Sequence, residues 1–178
     1  MPPFIPKAED LTINKYQELS KETAVFPEIN SKLSDTTLDF LIAAGKLAGI
    51  VKKIFRDSDG KMSPASQAKL QAVLDEAFDH LTELEFVVAS DIQESGEFPI
   101  PSVAYPILGL FDEVAELAEK CQQNDLEGAA KELGDVNWYS PQIGSGLKFE
   151  MGEVMRANLV KLFDRKSRGV LKGSGDNR

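Results

Sequence analysis

Apolar residues recur along most of this chain with the spacing of an α-helix, and no segment keeps up the alternation of a strand. The pattern predicts six helices, over residues 10–24, 35–56, 64–91, 104–121, 126–146 and 149–167. The connections DSDGKMSP (57–64) and EFPIPS (97–102) are rich in the residues of loops. Pro141 lies inside the fifth segment and should kink or interrupt it. The sequence therefore predicts an all-α fold.

Two parts of the chain share one layout of a helix with small residues, a loop and a second helix. They run from Leu38 to about residue 92 and from about residue 108 to Leu147. One hypothesis is a duplicated helix pair, and the other is two unrelated hairpins that share an amphipathic pattern. If the pair is duplicated, its first copy has lost most of the acids of the second and carries Ala43, Lys46, Val73 and Glu76 instead.

The amino-acid composition indicates the general class of protein. At 178 residues, with 42% hydrophobic and 28% charged side chains, the chain suits one compact domain or two small lobes. No apolar run is long enough to span a bilayer, and the start MPPFIPKAEDL has no signal-peptide pattern. The only cysteine, Cys121, excludes an internal disulfide. These features predict a cytoplasmic protein that does not bind membranes.

The charge is unevenly distributed. The net charge of −9 argues against a nucleic-acid-binding surface. Residues 148–178 nevertheless hold eight basic and four acidic side chains, so this segment is +4 and the remainder −13. An acidic body that holds a metal, with a basic tail, suits a metal-bridged polyanion such as a nucleoside triphosphate. The alternative is an ordinary solvated helix with surface lysines.

Two acidic pairs carry the candidate chemistry. Glu113 and Glu116 are three residues apart in one predicted helix, and Glu132 and Asp135 in the next, so each pair shares a helix face. If the helices pack antiparallel, four carboxylates converge, and their repulsion favours a hard divalent cation between them. We expect Mg²⁺, with Mn²⁺ as a substitute. Asp112 could activate a water or stabilise the helix dipole. The alternative for the pairs is a solvated helix face.

The C-terminal region offers cations. Asn158, Lys161, Arg165 and Arg168 share one side of a predicted helix and could hold phosphate oxygens. The ending GSGDNR, which includes Arg178, could fold over them. An amphipathic basic helix and a flexible tail are the alternatives. The isolated His80 argues against histidine-based metal sites, and no P-loop or Rossmann glycine pattern is present.

Four segments together resemble the MazG-like all-α nucleoside triphosphate pyrophosphohydrolases. These are YQELSKETAVFP (16–27), YPILGLFDEVAELAEK (105–120), KELGDVNWY (131–139) and ANLVKLFDRKSRGVLKGSGDNR (157–178). The resemblance covers residues 11–27 and 105–178, so residues 28–104 look like an insertion. It divides the chain into an N-terminal helix (1–27), an inserted non-catalytic helix pair (28–104), catalytic helices (105–167) and a basic tail (168–178).

The resemblance implies cleavage of a (d)NTP between its α and β phosphates, which gives a (d)NMP and pyrophosphate. Glu113, Glu116, Glu132 and Asp135 would hold Mg²⁺, and Glu113 or Asp112 would deprotonate the attacking water. Phosphates would bind Asn158, Lys161, Arg165, Arg168 and Arg178, while Tyr16 and Gln17 would line the base or sugar pocket. Family members usually form dimers or tetramers. A nucleotide-binding regulatory protein with little turnover and a purely structural bundle remain the alternatives.

Overall fold

The protein is described here from a computed structural model in which residues 6–90 and 94–170 are placed. These residues form six α-helices: α1 (Ile13–Ser20), α2 (Lys32–Ser58), α3 (Pro64–Ala89), α4 (Pro101–Gln122), α5 (Leu126–Gly146) and α6 (Met151–Ser167). Within residues 6–90 and 94–170, the only β-type pairing is an isolated bridge between Ser31 and Ser95. The predicted all-α fold is confirmed. None of the described helices combines the length and apolar character needed to cross a membrane.

Side-chain caps decide where the helices begin. Ser63 accepts a hydrogen bond from the N–H of Ser66, so α3 starts at Pro64, where the sequence predicts it. The helix α2 starts earlier than predicted because Ser31 and Ser34 form a reciprocal capping box. By contrast, α1 starts later, because Thr12 caps it, and it ends in a 3₁₀ turn over Lys21–Thr23.

Two helices continue through a proline. Pro106 lies inside α4 and Pro141 inside α5, and both rings are fully buried. Of the kink or interruption expected at Pro141, the interruption does not occur, since α5 has the predicted bounds and runs on to Gly146. A proline removes one helical hydrogen bond, and burial of its ring in the interior offsets that loss.

The described residues form two compact units. The first contains the chain up to Ile29 and from Ile100 to Leu159, and the second contains Asn30 to Pro99 and the chain from Val160 onward. In the first unit α4 and α5 pack as a hairpin, and α1 packs on α5. In the second unit α2 and α3 form another hairpin.

Close backbone approach shapes the first unit. A Cβ atom on Gly146 of α5 would lie 2.6 Å from Cγ1 of Val103 in α4, which only glycine avoids. The ring of Tyr139 lies directly against Gly109 in the same way. Glycine therefore allows α4 and α5 to pack closely along the segments that carry the acidic pairs.

A row of polar side chains joins α1 to α5. Ser20 accepts a 2.8 Å hydrogen bond from the amide of Gln142, and Thr23 accepts one of 2.8 Å from the indole of Trp138. Gln17, one turn earlier, donates to Oγ of Ser145 at 3.2 Å. Gln17, Ser20 and Thr23 follow one another at intervals of three residues, so they lie along one side of this segment. This row fixes α1 beside the part of α5 that follows the second acidic pair.

Candidate active site

Three carboxylates from two helices meet in the first unit. Glu113 and Glu116 project from α4 and Glu132 projects from α5, and one oxygen of each lies within 4.8 Å of the others. Glu113 and Glu132 are half-buried and Glu116 is exposed, so the group opens to solvent on one side. We call these three residues the acidic cluster. Their convergence follows from the hairpin, because antiparallel helices bring the middle of α4 beside the first half of α5.

The charge of this region acts most strongly on Glu113. Burial is the largest cause that raises the pKa of its carboxyl group, and the charge of Asp135 is the next. Glu116, Asp112 and Glu132 raise the same pKa further. The two acidic pairs therefore face one another electrostatically, with Glu113 at the centre of their combined field.

Asp135 stands at the edge of this arrangement. It is not one of the three carboxylates that lie within 4.8 Å of one another, although its charge reaches Glu113. It also faces two phenols: burial and then Asp135 raise the pKa of Tyr16, and Asp135 contributes to the raised pKa of Tyr139. Tyr16 of α1 and Tyr139 of α5 thus lie within range of the charge of Asp135.

The donor set fits a hard divalent cation. Among residues 6–90 and 94–170, no lysine or arginine forms an ion pair with Asp112, Asp135 or a member of the acidic cluster. Oxygens that share one Mg²⁺ at about 2.1 Å lie at most about 4.2 Å apart. Separations of up to 4.8 Å are therefore closed by small side-chain rotations. A divalent cation would balance the charge of carboxylates that have no basic partner.

Aromatic rings fill the space next to this region. Phe26 stacks on Tyr105 with centroids 5.1 Å apart, and Trp138 meets Tyr139 edge to face at 4.8 Å. Phe26 also contacts Trp138 edge to face at 6.3 Å. After burial, Tyr105, Glu113, Asp112 and Asp135 all raise the pKa of Tyr139, so its hydroxyl faces the acids. An apolar surface and a carboxylate cluster therefore adjoin each other.

Gln17 occupies a buried position in the first unit. Its amide donates to the carbonyl of Phe149 at 2.9 Å and accepts the N–H of Met151 at 3.0 Å. Both ends of the amide thus hold the connection between α5 and α6. Its predicted role in a base or sugar pocket stays a prediction, as does that of Tyr16, which borders the acids.

The predicted phosphate-binding residues lie along and beyond α6. Asn158 is exposed and belongs to the first unit, whereas Lys161, Arg165 and Arg168 belong to the second. Arg165 is buried, and Arg168 donates to the carboxylate of Asp164 at 2.7 Å. Arg178 lies outside the described residues. The phosphate-binding roles of all these residues stay predictions.

Sequence reasoning missed part of the site. Tyr105 and Tyr139 were not among the candidate residues, although Tyr139 follows Asp135 by four positions and therefore shares its helix face. That spacing was a usable signal for Tyr139. No comparable signal exists for Phe26 or Tyr105, because only the packing of α4 against the segment after α1 brings these two rings together.

Comparison with known proteins agrees with the site. Residues 102–170, which hold both acidic pairs, match the MazG nucleotide pyrophosphohydrolase domain. The chain is also 38% identical over 90 residues to the Gene 37 protein of Mycobacterium phage L5, an alignment that covers 44% of this chain and 79% of that protein. No solved structure matches the chain. The chain belongs to the MazG nucleotide pyrophosphohydrolase family, whose members are hydrolases that act on nucleotide pyrophosphate bonds and typically use divalent metals.

Proposed function

We propose that this protein is a Mg²⁺-dependent nucleoside triphosphate pyrophosphohydrolase that converts a (d)NTP to a (d)NMP and pyrophosphate in control of the nucleotide pool. The observation that carries the proposal is the acidic cluster, in which Glu113, Glu116 and Glu132 present oxygens within 4.8 Å of one another without a basic partner among the described residues. The family assignment supports the reaction class. Metal dependence and the identity of the substrate belong to the proposal.

The acidic cluster and Asp135 would hold Mg²⁺, with Mn²⁺ as a substitute. The bound ion would supply positive charge for the phosphates and lower the pKa of the attacking water. Glu113, which is half-buried within the acidic cluster, is the first candidate to take the proton from that water. Asp112, which adds to the field at Glu113, is the second candidate for this proton transfer.

The remaining roles divide between two ends of the substrate. Tyr16 and Tyr139 border the acids, so the nucleoside would lie on their side, against the adjoining rings. Asn158, Lys161, Arg165 and Arg168 would balance the charge that develops on the departing pyrophosphate, together with Arg178. Bond cleavage between the α and β phosphates then gives two products that each carry negative charge.

The experiment is an assay for pyrophosphate release from the eight common NTPs and dNTPs, with Mg²⁺, with Mn²⁺ and with EDTA. Glu116→Gln removes one carboxylate of the acidic cluster and should lower kcat/KM by at least about 100-fold, the loss typical of a group that stabilises transition-state charge. Glu119→Gln is the matched control, because Glu119 is exposed on the same helix and, among the described residues, its carboxylate accepts a hydrogen bond only from Gln123. Activity that survives both EDTA and Glu116→Gln would contradict the proposed site.

A regulatory protein that binds nucleotide with little turnover is the second candidate. It shares the acidic cluster and differs only in the chemical step. Calorimetry with Mg²⁺ and each nucleotide would show binding in both cases. Binding without product from any of the eight nucleotides would favour the regulatory protein.

A further inference from the structure

The α4–α5 hairpin keeps one register along its length. The ring of Tyr139 lies against Gly109, and a Cβ atom on Gly128 would lie 2.9 Å from Cδ of Lys120. Position 120 follows position 109 by 11 residues on α4, and position 128 precedes position 139 by 11 residues on α5. Because this interval is about three helical turns, both contacts lie on the same faces of the two helices.

The acids of the candidate site lie between these two contacts. The same register places Glu116 opposite Glu132, and both contribute oxygens to the acidic cluster. Along the hairpin the order is therefore Tyr139, then the acids, then Lys120. Lys120 lies one helical turn, about 6 Å, beyond Glu116 along α4. We call the part of the hairpin from Lys120 to Gly128 the lysine end.

A cavity of about 350 Å³ lies at the lysine end. The described residues that line it all belong to this hairpin: Lys120, Asp125, Glu127, Gly128, Lys131 and Glu132. Glu132 is also a member of the acidic cluster, so the cavity adjoins the carboxylates that we propose to hold Mg²⁺. Because α4, α5 and their connection form its walls, the cavity is a feature of the first unit alone.

The charges around this cavity favour an anion beside Lys120. Asp125 caps α5 by accepting the N–H of Gly128 at 2.9 Å, and Glu127 pairs with Lys131 at 3.0 Å. Among the described residues, the ammonium of Lys120 forms no ion pair. The helix α5 also begins here, so the positive end of its dipole adds to the charge of the lysine. Lys120 is therefore the cation that an anion in this cavity would meet.

We propose that Lys120 binds the terminal phosphates of the nucleotide and keeps its contact with the pyrophosphate product. This role rests on the proposed function and adds a direction to it, with the nucleoside toward Tyr139 and the pyrophosphate at the lysine end. The β and γ phosphates extend beyond a metal ion at the acids, and a lysine one turn away reaches their oxygens. Of the predicted phosphate ligands only Asn158 belongs to the first unit, and its amide is uncharged. Lys120 adds a positive charge on the hairpin that carries the acids.

The first test is titration calorimetry of the full-length protein with inorganic pyrophosphate in saturating Mg²⁺. Lys120→Met keeps most of the side chain but removes its ammonium, and it should raise the dissociation constant about tenfold, the loss of one charge-assisted hydrogen bond. Lys120→Arg keeps the charge and should stay within about threefold of wild type. Lys15→Met is the matched control and should bind as wild type does, because Lys15 lies in the same unit and pairs with Glu18 at 2.9 Å.

A second titration, with Mg²⁺ and no anion, separates phosphate binding from a structural role. Lys120→Met should bind Mg²⁺ at least as tightly as wild type, because the loss of a nearby positive charge does not weaken a cation site. Circular dichroism identifies folded variants, and Lys120→Gln provides the same readout if the methionine variant is unfolded. Pyrophosphate affinity that is unchanged in the folded variant, or that falls together with its Mg²⁺ affinity, overturns the proposal. A wild-type protein that binds no pyrophosphate in Mg²⁺ overturns it as well.

Product inhibition distinguishes this proposal from the proposed function. In Lys120→Met the inhibition constant for pyrophosphate should rise about tenfold, whereas the constant for the nucleoside monophosphate should not change. Equal changes in both constants would overturn the direction assigned to the substrate. A wild-type protein that binds pyrophosphate through Lys120 but releases none from any of the eight nucleotides would contradict the proposed function and leave the phosphate site in place.

Discussion

The backbone N–H of Met151 donates a 3.0 Å hydrogen bond to Oε1 of Gln17. Met151 is the first residue of α6, where the N–H groups of a helix have no partner within the helix. A second residue of α1 does the same for the next position, since Oδ1 of Asn14 accepts the N–H of Gly152 at 2.7 Å. Side chains of α1 therefore provide the cap of α6.

We predict that Gln17→Leu lowers the free energy of unfolding by about 1–3 kcal/mol, because it leaves the N–H of Met151 and the carbonyl of Phe149 without a side-chain partner. Asn14→Ala should cost less, about 0.5–1 kcal/mol, because Asn14 is exposed and water replaces the lost hydrogen bond. Urea denaturation of the two variants beside wild type provides the measurement. Equal losses in both would contradict a special role for the buried amide.

The second prediction concerns the charge on Glu113. Burial and then the neighbouring acids raise its pKa, so the folded metal-free protein holds this proton more tightly than the unfolded chain does. The stabilisation of the folded state by protonated Glu113 is therefore fully present below the ordinary glutamate pKa. It is lost as the pH rises through the raised pKa. Without metal, Glu113→Gln should match wild type at about pH 3.5 and exceed it at about pH 7.5 by a few tenths of a kcal/mol.

Saturating Mg²⁺ should reverse that order at pH 7.5, because wild type gains the stabilisation of a bound ion and the variant loses a ligand. The measurement is the midpoint of urea unfolding at both pH values, in EDTA and in Mg²⁺. Identical midpoints for the two proteins under all four conditions would contradict this prediction. They would show that the charges of the other acids do not affect Glu113 and that Glu113 does not bind the ion.

The fold could be predicted from the sequence because helix periodicity and helix caps depend on residues that are close together in the chain. The start of α3 could be predicted, since Ser63 and Pro64 mark it, but the start of α2 was missed because a Ser31–Ser34 capping box lacks the usual glutamate. The bounds of α5 were predicted, whereas the interruption that was one of two expected effects of Pro141 does not occur. Burial of that ring is a property of the tertiary structure, and no pattern within the segment shows it.

The acidic cluster could be predicted from the sequence for a similar reason. Spacings of three residues place Glu113 beside Glu116, and a short connection makes the next helix antiparallel, so Glu132 comes close without further information. The buried position of Gln17 could not be predicted from the sequence. Sequence shows only a polar residue on a short helix, whereas its burial depends on how the chain after α5 returns to α1.

The third prediction tests the packing of α4 against α5. Gly109→Ala should destabilise the protein by about 1–3 kcal/mol even though alanine favours helices, because the added methyl group overlaps the ring of Tyr139. Gly134→Ala is the contrasting variant, since nothing described lies within 4 Å of a Cβ at that position. It should stabilise the protein by up to about 1 kcal/mol. Thermal unfolding that shifts in the same direction for both variants would contradict this packing.

The fourth prediction asks whether the α2–α3 hairpin can hold metal. Lys46 pairs with Glu76 at 2.5 Å, and both side chains are more than a third exposed, so Lys46→Met should cost less than about 1 kcal/mol. Lys46→Glu places a second carboxylate beside Glu76, but Ala43 and Val73 offer no further oxygen. We therefore expect neither variant to change the number of Mg²⁺ ions bound, measured by titration calorimetry, or to change turnover by more than about twofold.

A new Mg²⁺ site in the Lys46→Glu variant would contradict this prediction and would strengthen the hypothesis that the two hairpins descend from one duplicated pair. Glu116→Gln provides the comparison in the same titration, because it removes a carboxylate from the acidic cluster and should lower Mg²⁺ affinity by about 10–100-fold. Lys46 already pairs with Glu76, and among the described residues of this hairpin no three carboxylates converge as Glu113, Glu116 and Glu132 do.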